Sequence, residues 1–224
     1  MALVPPTIVL DVNETLLDMS ALDPLFADAF GDKAVRRVWF AQTLQTALAM
    51  TLYGNYVPFA GVAKAALDMT ARKRGVGLDG ERAARIMRGL ATLPAHGDVA
   101  DGLSRLREAG CPIVVLAQAS SDALEAQLTH AKLRPFIDRL FSADAIRRFK
   151  PAPETYALVR DTLDDDVPPL LISAHDWDLA GAAHAGWHTA FIARHGTALN
   201  PLEPPPTFSA PDLRTLAAAI VGTL

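Results

Sequence analysis

The chain has a single cysteine, Cys111, so no disulfide can close within it and no CxxC metal site exists. Its six histidines include no HExxH pair or similar spacing. The net charge of -4 leaves no concentrated basic surface of the kind that binds nucleic acid by counterion release. The densest cationic run, Arg72-Lys73-Arg74 before Gly75, reads as the last turn of a helix, where cations oppose the helix dipole. No apolar run approaches the ~20 residues of a membrane span. The first apolar segment, Ile8-Val9-Leu10, is broken at once by Asp11, unlike the longer core of a signal peptide. A cytoplasmic location is the expectation. Cys111, beside Pro112 and ahead of an apolar run, is expected to be a small buried thiol.

What is present is apolar bulk. Half of the 224 residues are hydrophobic, enough to bury a sizeable core and to argue against disorder. The length suits one α/β domain, or a core domain carrying an insertion.

Thr7-Ile8-Val9-Leu10 is short, apolar and β-branched, and runs into Asp11-Val12-Asn13-Glu14-Thr15, as a buried parallel strand runs into a polar loop. Ile113-Val114-Val115-Leu116 repeats the pattern after a helical stretch at 99–109 that stops at Gly110. Leu170-Leu171-Ile172 is a third strand, followed by a helical stretch at 179–185 and a fourth strand at 189–192. Strands alternating with helices predict an α/β fold with a doubly wound parallel sheet, Rossmann-like, whose ligands meet the carboxyl ends of the strands.

Between the first and second strands the strand signals vanish. Residues 32–52 read as one long helix, with Val35, Val38, Trp39, Leu44, Leu48 and Leu52 near helical spacing, and 62–74 and 81–93 as two more. The expectation is a Rossmann-like core of 1–18 and 95–224 with a helical cap, 19–94, inserted over the strand ends. Trp39, Phe40 and Met50 are expected in the cap's own core. The proline-rich tail, 200–211, is expected to wrap the surface in extended form.

Three polar residues stand at strand ends: Asp11, Lys150 before Pro151, and Asp178 six residues past Ile172. Each has a plain alternative, as a helix cap or a solvated surface charge. Together they converge on one edge of a parallel sheet. A lysine between two carboxylates favours their ionised form, which a carboxylate nucleophile requires.

The segments Asp11-Val12-Asn13-Glu14-Thr15-Leu16, Lys150-Pro151 with Tyr156, and Ser173-Ala174-His175-Asp176-Trp177-Asp178 resemble, in order and spacing, the signatures of the haloacid dehalogenase superfamily. The later segments look most like its type II L-2-haloacid dehalogenases, and the resemblance spans essentially the whole chain. It implies that Asp11 attacks an electrophilic carbon to form an aspartyl ester, which water then hydrolyses. It further implies that Thr15 fixes the Asp11 carboxylate and Lys150 holds it ionised, while Ser173, His175 and Asp178 position or deprotonate the water. Phe40, Gln118, Ser120, Tyr156 and Trp177 are then the substrate-side residues, with Tyr156 equally readable as a core aromatic. A small-molecule substrate is implied, with no metal or other cofactor, no nucleic acid and no membrane. Dimerisation through the apolar cap helix follows only by analogy.

The chain departs from the family at two places in the pocket. Phe40 stands where those enzymes carry an arginine after the tryptophan, and Ala117-Gln118-Ala119 replaces Ser/Thr-Asn-Gly, with Ser120 and Ser121 near enough to compensate. A third comparison concerns the phosphatases of the superfamily, which carry a proton-donating aspartate where this chain has Asn13. An amide cannot donate and recover a proton near neutral pH. A halide leaves without needing one. A dehalogenase-type hydrolase is therefore the first expectation, a Mg²⁺-dependent phosphatase the second, and a catalytically faded binding or assembly protein the third.

Overall fold

A computed structural model describes residues 5–163 and 167–224. Six strands, β1 (Ile8–Leu10), β2 (Ile113–Ala117), β3 (Arg139–Ser142), β4 (Leu170–Ser173), β5 (His188–Ile192) and β6 (Phe208–Ala210), form one sheet in the order β3-β2-β1-β4-β5-β6. Every pairing is parallel. β1, β2 and β4 are buried along their whole length, which is why they read as unbroken apolar runs. Leu10 pairs with Val115 on one side and Ile172 on the other, so the residues just past these strands meet at one point. The chain order reverses direction there, at β1, which opens a crevice at the strand ends.

β3 and β6 are the strands that sequence patterning did not find. Both are sheet edges, and each exposes part of its short length. β6 lies inside the tail expected to wrap the surface, so part of that tail is a strand paired with β5. Helices α5 (Val99–Glu108), α6 (Ser121–His130), α7 (Pro153–Arg160), α8 (Asp176–His184) and α9 (Leu213–Val221) flank the sheet. Cys111 is buried, and burial pushes its thiol pKa up.

Between β1 and α5 lie α1 (Asp23–Phe30), α2 (Val35–Tyr53), α3 (Phe59–Lys73) and α4 (Gly80–Ala91), which pack on one another. α4 opens with Asp79 accepting a hydrogen bond from Arg82 N at 2.7 Å, and Arg72 and Lys73 do form the last turn of α3. Trp39, Phe40 and Met50 are buried as expected, but Val38 and Leu52, assigned to the same apolar face, point outward; Leu52 is 88% exposed. The buried stripe of α2 runs instead through Val35, Arg36, Trp39, Phe40, Thr43, Ala47 and Met50.

Candidate active site

Asp11 follows β1 directly, and its amide donates to Ile172 O at 3.1 Å, fixing it between the ends of β1 and β4. Its carboxylate is gripped from two sides. Thr15 Oγ1 donates to Oδ2 at 2.6 Å, and Lys150 Nζ donates to Oδ1 at 3.0 Å. The same Thr15 hydroxyl accepts from Ala174 N at 2.9 Å, so its single proton is committed to the carboxylate.

Lys150 is fully buried and spans Asp11 and Asp178, with Nζ 2.7 Å from Asp178 Oδ2. Burial disfavours its charge, but attraction to both carboxylates outweighs this and holds its pKa above the ordinary value. Burial alone would push Asp11 up. The Lys150 ammonium, His175 and the Thr15 hydroxyl reverse that, and its carboxyl lies below the ordinary carboxylate value. Asp178 goes the other way, raised by burial and by the like charge on Asp11 despite Lys150. Two acids share one ammonium, and their pKa values are pushed in opposite directions.

Gln118 borders the cavity beside Asp11, and both atoms of its amide are engaged by the protein. Its Oε1 accepts from Lys150 N at 2.9 Å and its Nε2 donates to Lys150 O at 3.3 Å, clamping the backbone that carries the ammonium. Tyr156 is fully buried, and its hydroxyl donates to Asp178 Oδ1 at 2.8 Å; it is a prop for Asp178 rather than a wall of the pocket. Gly181 makes this possible, because a Cβ there would collide with the Tyr156 hydroxyl and lie 2.6 Å from Pro151 Cβ. Ser173 is also buried, and its Oγ accepts from His175 N at 3.1 Å, shaping the turn into α8.

The cavity beside Asp11 is lined by Asn13, Phe40, Leu44, Phe59, Ala117, Gln118, His175 and Trp177 among others, and measures about 10 Å³, room for roughly one water. Trp177 stacks on His175 with centroids 5.1 Å apart, and the Phe40 ring lies 6.1 Å from the same imidazole. Ser120 does not border this cavity. It lines a neighbouring one of about 100 Å³ that shares Asn13 and Phe59. Ser121 is exposed at the start of α6, so neither serine replaces the hydroxyl missing at Ala117. A larger cleft of about 630 Å³ lies beyond Glu14 and Arg36 and does not include Asp11. Of these cavities the small one is the one that Asp11 borders.

Sequence reasoning missed Glu14 and Arg36. Glu14 lies within the nucleophile's own loop with φ 62°, and its Oε2 is 3.9 Å from His175 Nδ1. Arg36, one helical turn before Phe40 on the same face of α2, reaches Glu14 Oε1 at 3.4 Å. Sequence offered one faint signal, the i, i+4 spacing of Arg36 and Phe40.

Known proteins are similar to this chain over most of its length. An (S)-2-haloacid dehalogenase from Burkholderia cepacia is 30% identical over 84% of this chain and 83% of its own length. Another from Pseudomonas fluorescens is 27% identical over 96% of each chain. The structure of L-2-haloacid dehalogenase from Xanthobacter autotrophicus with chloropropionic acid covalently bound superposes with a TM-score of 0.89 at 25% identity, covering 99% of this chain and 100% of that one. Residues 5–186 match the haloacid dehalogenase-like hydrolases, and with the site geometry above this places the chain in that family of hydrolases.

Proposed function

We propose that this protein hydrolyses small 2-haloacids through an aspartyl ester on Asp11. The observation that carries the proposal is a carboxylate held ionised, at the wall of a small and largely apolar cavity, by Lys150 and Thr15. Desolvation strengthens such a nucleophile, and the ammonium keeps it from protonating. Asp11 attacks the carbon bearing the halogen and the halide departs with the bond electrons. Water then attacks the Asp11 carbonyl carbon, releasing the 2-hydroxy acid and restoring the carboxylate. The covalently bound chloropropionic acid of the Xanthobacter relative supports an intermediate of this kind.

Residues 19–94 act as the cap, contributing Phe40, Leu44 and Phe59 to the apolar wall that excludes bulk water. Trp177 forms the wall on the core side. Asp178, Tyr156, Ser173 and Gln118 act from behind, holding Lys150 and the His175 turn. The first test is chloride release from L-2-chloropropionate with and without EDTA. Turnover that survives chelation is expected, because Asn13 provides no acid for a phosphoryl leaving group and halide needs none. A loss of activity reversed by Mg²⁺ would point to the phosphatase branch instead.

The pocket also predicts where activity is limited. Phe40 and Ala117 offer the substrate carboxylate and the halide no hydrogen-bond donor. Phe40→Arg and Ala117→Thr should each raise kcat/KM on L-2-chloropropionate, by about tenfold where a charge-assisted bond of ~1.5–3 kcal/mol is realised in the transition state. Their combined effect need not be additive, since both border one cavity. No gain in stably folded variants would mean that the pocket serves a different substrate.

A further inference from the structure

The cavity beside Asp11, about 10 Å³, holds roughly one water, and even 2-chloropropionate is larger than that. A substrate attacked by Asp11 must therefore reach into an adjoining space. Asn13 and Phe59 wall this cavity, and they also wall the neighbouring one of about 100 Å³. The neighbour lies where the cap meets the core. Phe59 at the start of α3 and Met87 and Leu90 of α4 face Ala119, Ser120 and Ala123 across it.

Two other spaces are poorer hosts for an apolar group. The cleft of about 630 Å³ carries Asp18, Asp23, Lys33, Arg36 and Arg37, and among the described residues none walls both it and the Asp11 cavity. The space behind Trp177 carries Asp176, His184 and Glu203. Charged side chains lose hydration against an alkyl chain. The cavity between cap and core has no charged side chain among its described walls.

Its form suits a flexible chain. Phe59 and Leu90 are buried at its base, and Met87, half-buried, carries a thioether that adapts to irregular shapes. Gln127 Nε2 donates to Leu90 O at 2.8 Å, which ties α6 to α4 beside the cavity. Ala60, Ala91 and Ala123 are exposed at its rim, so a chain can run outward to solvent. The partition from Asp11 is slight. Phe59 is the first residue of its helix, and Asn13 Oδ1 is buried without a hydrogen-bond partner, so no bond through that oxygen breaks when the amide turns aside.

We propose that this cavity receives the alkyl chain of the substrate, so that the enzyme prefers 2-haloacids with an unbranched chain of several carbons to 2-chloropropionate; this rests on the dehalogenase reading. C2 and its halogen stay at Asp11, while the chain passes between Asn13 and Phe59 and lies on Met87 and Leu90. The reacting bonds are unchanged: an Asp11 oxygen bonds to C2 and the halide leaves with the bond electrons. The chain is buried equally before and during attack, so it lowers KM rather than raising kcat.

Halide release from L-2-chloropropionate, L-2-chlorobutanoate and L-2-chlorohexanoate tests this. In the wild type kcat/KM should rise about fourfold for each added methylene, with most of the gain in KM. Ala123→Phe and Ala91→Phe fill the cavity from α6 and from α4, at exposed positions where a ring does not overpack the core. Each should lower the ratio of hexanoate to propionate kcat/KM about tenfold or more. The two changes lie on different helices, so one folded variant is enough for the test. A flat or falling series in a wild type that releases halide from 2-chloropropionate overturns the inference and leaves the dehalogenase reading standing. So does a rising series whose slope survives in a folded variant, because the chain then lies elsewhere. Absence of halide release by the wild type from any 2-haloacid overturns both.

Discussion

Replacing Asp11 by asparagine should leave a folded protein with no measurable hydrolytic turnover. The amide keeps the shape of the carboxylate and can still meet Thr15, but it offers no anionic oxygen to attack carbon. Loss of a covalent nucleophile typically lowers kcat by on the order of 10⁴-fold or more. The fold should hold because Lys150 keeps its bond to Asp178 Oδ2 at 2.7 Å. Because the Asp11 carboxyl is depressed on folding, its ionisation stabilises the folded state, so losing it should lower the melting temperature modestly. Halide release and a thermal melt on the same preparation check both halves of the expectation. Turnover persisting in fresh protein whose intact mass shows no deamidation would sink the nucleophile assignment.

Lys150→Met is expected to be the most destabilising single change in the site. Methionine fills a similar volume, so the effect isolates the charge. Two carboxylates, Asp11 and Asp178, would then face each other in a buried space with only the hydroxyls of Thr15 and Tyr156 for company. Stranding buried charge in this way costs about 3–5 kcal/mol, roughly 10 °C or more in Tm for a chain of this size.

The pH dependence has a definite sign. Without the ammonium, burial and mutual repulsion push both folded-state pKa values above the ordinary 3.8. A carboxyl raised on folding binds more protons in the folded state, so stability is lost as pH rises from the unfolded toward the folded value. In the wild type Asp11 is depressed, and its contribution is present above 3.8 and lost on acidification. The gap in Tm between wild type and Lys150→Met should therefore narrow from pH 7.5 to pH 5. A gap that stays constant or widens would mean that Lys150 contributes by packing rather than by charge.

The central sheet and the place of Asp11 at its strand ends were legible in the sequence because both are written locally. A strand buried on both faces must be apolar at every position, and β1, β2 and β4 are. A polar residue that ends such a run has to lie at the sheet's edge, which marked out Asp11, with Lys150 and Asp178 following from order and spacing. The edge strands β3 and β6 escaped because a half-covered edge strand needs no unbroken apolar run. α2 was found, but its face was misjudged, because an exposed leucine at 52 and a buried arginine at 36 invert the usual pattern.

What each polar side chain does was decided only by tertiary packing. Gln118 and Tyr156 carry the polar groups expected of a substrate site, yet both spend them on protein partners, Lys150 and Asp178. Glu14 shares a loop with Asp11, and its contacts with Arg36 in α2 and with His175 just past β4 were not legible in the sequence. Sequence patterns report which residues are buried and in what order. They carry no information on which of several acceptors a buried donor meets, since that depends on distances of a few ångströms between segments far apart in the chain.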